Sequence, residues 1–192
     1  MENLQIKDIR IYSAVSKISR PIADSTHDIS KIAFYVTEVE TVGGTIGQSN
    51  VLSFHYSPNA IQGALKDLKE TVLSRGYCVN ESKRMRREIE IEHEYFGIPG
   101  IQRWALAALN TACWDAYARA LSQPIWKLLG GSKKAIPVYG SGGWLNYTDE
   151  ELLEEVLDYK KRGFTAVKIK VGSPDPERYI RRLNRCREEL GC

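Results

Sequence analysis

Ala166-Val167-Lys168-Ile169-Lys170-Val171-Gly172 is the stretch from which the fold can be read. Side chains on a strand alternate between faces, so Val167, Ile169 and Val171 point one way and Ala166, Lys168 and Lys170 the other. Two ammonium groups side by side on one face of an otherwise apolar strand are costly unless they have a use. On an enclosed face, desolvation and mutual repulsion both disfavour the charged forms, and a lysine so placed can act as a base. On a face open to water the same pattern is only a soluble strand, so the surrounding sequence has to decide.

Around this run the pattern is strand, helix, strand, helix. Ile136 to Gly140 reads as a short strand, followed by a loop with Ser141, Gly142, Gly143 and Trp144. Thr148 with Glu151 three residues on is a capping box, and it starts a helix that carries Leu152, Leu153, Val156, Leu157 and Tyr159 and stops near Gly163. After the lysine strand, Asp175 as N-cap and Pro176 at the first helical position open another helix with Tyr179, Ile180 and Leu183. Two consecutive βα units predict adjacent parallel strands.

Upstream the pattern is different. Ile6, Ile9 and Ile11, then Lys31 to Glu40 with Ile32, Phe34, Val36 and Val39, read as antiparallel strands before a turn at Gly43 and Gly44. Arg20 to Ser30, with Pro21, Asp24, Ser25, Thr26, His27 and Asp28, reads as a polar loop between them. Ile61, Leu65, Leu68 and Val72 space a helix that starts at Pro58 and stops at Gly76, and a second helix is expected over Ser82 to Glu94. Ile101 to Leu121 is the longest helical candidate, and its many alanines imply close packing on more than one side. The segment Ser132 to Ala135 is a linker, which divides the chain into domains 1–131 and 136–192.

The 192 residues suffice for one large domain or two small ones. A net charge of +3 is too small to indicate a nucleic-acid or membrane partner. The run Lys83, Arg84, Arg86, Arg87 is followed at once by Glu88, Glu90, Glu92 and Glu94, the mark of a self-paired, solvated helix face. Cys78, Cys113, Cys186 and Cys192 are scattered and suggest neither zinc nor a disulfide framework, and His27, His55 and His93 lack ligand spacing. Met1-Glu2-Asn3 begins no leader pattern, and no run approaches the ~20 apolar residues of a membrane helix. A cytoplasmic protein is expected. There is no P-loop, the glycines at 43, 44 and 47 follow no dinucleotide spacing, and no serine or cysteine has a legible catalytic partner.

Several features coincide: the α+β first part, the alanine-rich helix ending Trp114-Asp115-Ala116-Tyr117, the closure Gln123-Pro124-Ile125-Trp126-Lys127-Leu128-Leu129-Gly130-Gly131, and the K-x-K on the second strand of a βα series. Together they resemble the enolase superfamily, in its mandelate racemase and muconate lactonizing branch. Asn110 departs from the pattern, standing where the family often has an aspartate. The resemblance implies an α+β N-terminal capping domain followed by the start of a (β/α) TIM-type barrel, with two βα units. It implies a homo-oligomeric enzyme acting on a small-molecule carboxylate, a sugar acid or α-hydroxy acid.

In that chemistry the proton removed is very weakly acidic, and its loss creates a second negative charge that a cation and hydrogen-bond donors must meet. By resemblance the cation is Mg2+, held by acidic residues at the ends of the third to fifth barrel strands, which lie beyond this sequence. Also by resemblance, Lys170 is the base, Lys168 sits beside it and helps bind the carboxylate, and the segment with Asp24, Ser25, Thr26 and His27 closes over substrate. Asp24, Thr26, His27 and Ser141 are substrate-binding candidates, and Ser49, Asn50, His55 and Tyr56 weaker ones. No metal ligand is expected in this chain.

A full barrel takes about 250 residues, more than remain after residue 135. The chain is therefore expected to be part of an enzyme and inactive by itself, with a non-catalytic binding module as the alternative. Within the enzyme reading, sugar-acid dehydration is favoured because the polar capping segment with Asp24, Ser25, Thr26 and His27 suits a hydroxyl-rich substrate, and racemisation, epimerisation and cycloisomerisation stay open.

Overall fold

In β2 (Asp28–Thr41) burial alternates strictly from Ile32 onward, with Ala33, Tyr35, Thr37, Val39 and Thr41 buried and the residues between them half-buried. In the computed structural model, which describes residues 3–54, 57–97, 99–132, 135–172 and 174–191, this strand lies centrally between β1 (Ile6–Ala23) and β3 (Ile46–Phe54). β2 and β3 pair antiparallel. The opposite face of β2 carries Glu38 and Glu40, which Arg10 and Lys7 of β1 neutralise. Arg10 and Lys7 hold the Glu40 carboxyl down at about 2.

The buried face of the sheet meets helices α1 (Pro58–Arg75), α2 (Ser82–Glu92) and α3 (Ile101–Ala120). Ile9, Tyr35, Val39, Leu65, Leu68, Val72, Met85, Ile89 and Leu109 form their common core. The alanines of α3 let it lie against β3. At Gly47 any Cβ would overlap the Ala112 carbonyl and the Ala116 amide, so only glycine permits this approach. The Gln48 amide donates to Asp115 Oδ2 at 2.8 Å, and the Ser49 hydroxyl donates to the Ala108 carbonyl. The charge run of α2 pairs locally, as the sequence implies, with Arg84 on Glu81 and Glu88. A four-residue helix, α4 (Ile125–Leu128), closes this part of the chain.

The last elements are β4 (Gly140–Ser141), α5 (Asp149–Lys161), β5 (Val167–Lys168) and α6 (Pro176–Leu190). β4 and β5 pair in parallel, Gly140 with Val167 and Ser141 with Lys168, as two βα units require. Both helix starts follow the sequence signals: the Thr148 hydroxyl and the Glu151 carboxylate cap reciprocally, and Asp175 accepts from the Arg178 amide. Leu152, Val156 and Cys186 form the core here, with Val167, Ile169 and Leu190 packed on it.

Three expectations of the strand pattern need correction. The segment 20–30 is mostly strand: β1 runs to Ala23 and β2 resumes at Asp28, leaving a four-residue connection. Pro21 is tolerated because β1 is an edge strand. β3, which the sequence did not reveal, pairs with β2 along most of its length. Conversely, 136–140 and 166–172 shrink to two-residue strands, since regular pairing extends only where both backbones face one another.

The chain divides into two compact units, Met1–Ser16 with Lys31–Ser132, and Lys17–Ser30 with Lys133–Cys192. The end of the β1–β2 hairpin thus belongs with the two βα units, a grouping that a division in chain order at 131/136 does not include.

Candidate functional site

The second unit gathers the sequence-derived candidates. Val167 and Ile169 pack on the α5–α6 core, which leaves Lys168 and Lys170 on the opposite face of β5. Lys168 is exposed and Lys170 half-buried. The parallel register puts Ser141 beside Lys168 on that face. The Lys170 amide donates to the Gly143 carbonyl at 3.0 Å, and its ammonium stands 5.1 Å from the centre of the Trp144 ring.

The loop after β4 is held from behind by residues that sequence reasoning missed. Glu155 of α5 accepts from the Gly143 amide at 2.6 Å. Arg178 donates to the carbonyls of Leu145 and Tyr147, and the buried Arg182 donates to Tyr147. Burial pushes the Arg182 guanidinium down in pKa and neighbouring Arg178 adds to this, while Asp149, 3.3 Å from Nε, opposes it. Tyr159 donates to the Ser141 carbonyl at 3.0 Å. Helical spacing announces each of these only as a helix residue, because the loop they hold is distant in sequence.

Asp24, Ser25, Thr26 and His27 form the hairpin turn. Asp24 Oδ1 accepts from the amides of Thr26 and His27, each at 2.9 Å, and from the Thr26 hydroxyl at 3.1 Å. The Thr26 amide, the Thr26 hydroxyl and the His27 amide hold the Asp24 carboxyl below its usual range. His27 Nδ1 lies 2.7 Å from Thr26 Oγ1. The turn reaches the segment that follows β5, where a Cβ at Gly172 would stand 3.1 Å from that of Ser25. Gly172 also has φ +119°, open only to glycine without strain. Asp24 is thus first a turn-forming carboxylate, and Thr26 and His27 are the side chains it presents.

Ser49 and Asn50 belong to the first unit, where Ser49 is engaged with Ala108. His55 and Tyr56 lie outside the described residues. Among the described residues no grouping of three or more His, Cys, Asp or Glu could hold a metal ion, and no helix is long and apolar enough to cross a membrane.

The model of the mandelate racemase and muconate lactonizing enzyme N-terminal domain matches residues 6–130. This chain belongs to that family. It is 31% identical to the arabinonate dehydratase of Saccharolobus solfataricus over 201 residues, covering 97% of this chain and 51% of the relative. It is 25% identical to the L-talarate/galactarate dehydratase of Salmonella typhimurium over 198 residues, covering 97% of this chain and 48% of that protein. The crystal structure of that dehydratase with Mg and L-lyxarohydroxamate superposes with a TM-score of 0.89 at 23% identity, over 97% of this chain and 49% of the other. A magnesium-bound racemase from Streptomyces coelicolor superposes with a TM-score of 0.90 at 24% identity, over 96% of this chain and 52% of that chain. The chain spans about half the length of the curated relatives it matches. The family shown here is the branch expected from the tryptophan-aspartate helix, the glycine closure and the lysine pair, and its fold is that of the enolase-superfamily capping domain leading into βα units.

Proposed function

We propose that this family member supplies the capping hairpin and the lysine half of a site that removes the α-proton of a carboxylate substrate, most specifically a sugar acid undergoing dehydration. The observation that carries the reading is the end of β5 and the residues after it: Lys168 and Lys170 stand away from the α5–α6 core, and the hairpin turn approaches the same segment at Gly172. The strand end is where catalytic groups of βα proteins gather. Lys170, half-buried and positioned through its own amide and Trp144, takes the proton; Lys168 and Ser141 offer donors to the carboxylate. Thr26 and His27 face a hydroxyl-bearing substrate. The dehydratases among the relatives support a sugar acid over the racemases and cycloisomerases, which the same lysine pair also fits.

Magnesium is present in solved relatives. The described residues offer it no ligand cluster, so its binding is not assigned to them and no step is routed through it.

The test is loss of the α-proton of galactarate or arabinonate to D2O, followed by NMR, in a protein that carries these 192 residues within a complete barrel. Lys170→Ala should slow the exchange by about 10^2–10^4-fold, the usual worth of a positioned general base. Its melting temperature should not change. Undiminished exchange on the lysine's face would overturn the assignment.

A further inference from the structure

We propose that Asn146 is a positioning residue: its side-chain amide fixes where the hairpin turn 24–27 stands beside Gly172, in the segment that follows β5. All the groups concerned lie in the second unit. β1 is an edge strand, and along its outer edge the Pro21 carbonyl and the Ala23 amide point the same way, as groups two residues apart on a strand do. Asn146 Nδ2 donates to the Pro21 carbonyl at 2.7 Å, while Oδ1 accepts from the Ala23 amide at 3.1 Å. The Leu145 amide then donates to the Ala23 carbonyl at 2.9 Å. The side-chain amide thus imitates one peptide group of a partner strand. Asparagine and glutamine are the side chains that carry the donor and the acceptor on a single amide group, as a peptide does.

A second contact lies alongside. Arg20 pairs with Glu151, and its guanidinium covers the Tyr147 ring at 3.9 Å. The same short segment therefore carries Trp144 toward Lys170 and Asn146 toward the hairpin, and Arg178 and Arg182 fix its carbonyls from α6. The turn and the lysine are tied to one rigid loop. Within the turn the Thr26 and His27 amides bond to Asp24, while Asn146 and the Leu145 amide bind the end of β1 that carries the turn.

That the turn serves catalysis rests on the function proposed above; the latch itself does not, and its test uses no substrate. Amide exchange is measured residue by residue on the 192-residue chain. In Asn146→Ala the Ala23 amide and the turn should exchange about tenfold faster, as loss of one or two net hydrogen bonds implies. The amides of Leu152 and Val156 should stay within about twofold of wild type, being anchored in the α5–α6 core. Asn146→Asp keeps the acceptor for Ala23 but sets a carboxylate oxygen against the Pro21 carbonyl, and should fall between the two.

Unchanged exchange in the turn of Asn146→Ala would overturn the proposal. So would an equal acceleration throughout α5 and α6, which would make Asn146 a general packing residue, or wild-type behaviour of Asn146→Asp, which would remove the role of the donor. α-Proton exchange that survives Lys170→Ala would remove the functional reading and leave the latch standing.

Discussion

The two units bury their apolar side chains very differently. In the first, one sheet face and three helices share a continuous core from Ile6 to Ala116. Among the described residues of the second, only Leu152, Val156, Tyr179 and Cys186 join the buried Ala23 and Ile29 of the hairpin as buried apolar residues. Ile136, Val138, Tyr139, Val171 and Ile180 are at least half exposed there, and a cavity of 650 Å³ opens among Val156, Phe164, Val167, Ile169, Cys186 and Leu190. A sheet of two short strands cannot cover two amphipathic helices, whereas a three-stranded antiparallel sheet can. The first unit holds its shape by burial. The second depends more on hydrogen bonds to fixed points, namely Glu155, Asn146, Arg178 and Arg182.

The largest effect on stability should come from attacking the closed core. Gly47→Val drives a branched side chain into the backbone of α3 and should cost the first unit about 3 kcal/mol or more, despite valine's preference for strands. Urea unfolding followed by amide exchange reads this, and a cost under about 0.5 kcal/mol would show that α3 and β3 do not need their close approach.

Next, Leu152→Ala should cost about 2 kcal/mol, the low end for such a change, because its core partners Val156 and Cys186 line a cavity that gives them room to relax. The loss should appear in amides of α5 and α6 and leave those of α1 and α3 unchanged. Equal loosening of both sets would mean that the units unfold as one. Thr148→Ala should cost about 1 kcal/mol by removing the N-cap of α5, with faster exchange at the Glu151 amide as its local signature.

The smallest effect should come with acid. Arg10 and Lys7 depress the Glu40 carboxyl from its ordinary 4.5 to about 2 in the folded chain. A depressed carboxyl binds protons less readily folded than unfolded, so its contribution is complete above about pH 4.5 and is lost as pH falls toward about 2. A Glu40→Gln chain should show a shallower loss of stability over that window, and parallel pH profiles would count against the Arg10 and Lys7 pairing.

Local chemistry made much of this protein legible. A capping box or an N-cap followed by proline involves neighbours three residues apart, and both helix starts in the second unit stand where those signals put them. Strand alternation separated Val167 and Ile169 from Lys168 and Lys170 before any partner was known. The helix of alanines announced close packing, and the glycine-rich closure with the lysine pair pointed to the family.

Only the tertiary structure could decide what depends on distant partners. A polar stretch such as 20–30 became strand because β1 and β2 satisfy one another there, and Gly47 acquired its necessity only when α3 came to lie on β3. Asn146 looked like any loop residue until the edge of β1 presented a carbonyl and an amide at the spacing of one side-chain amide. Caps and faces are set by bonds within a few residues of the chain, whereas pairing, close approach and latching join separate elements, as Gly47 meets Ala112 and Asn146 meets Pro21, and no local pattern encodes such meetings.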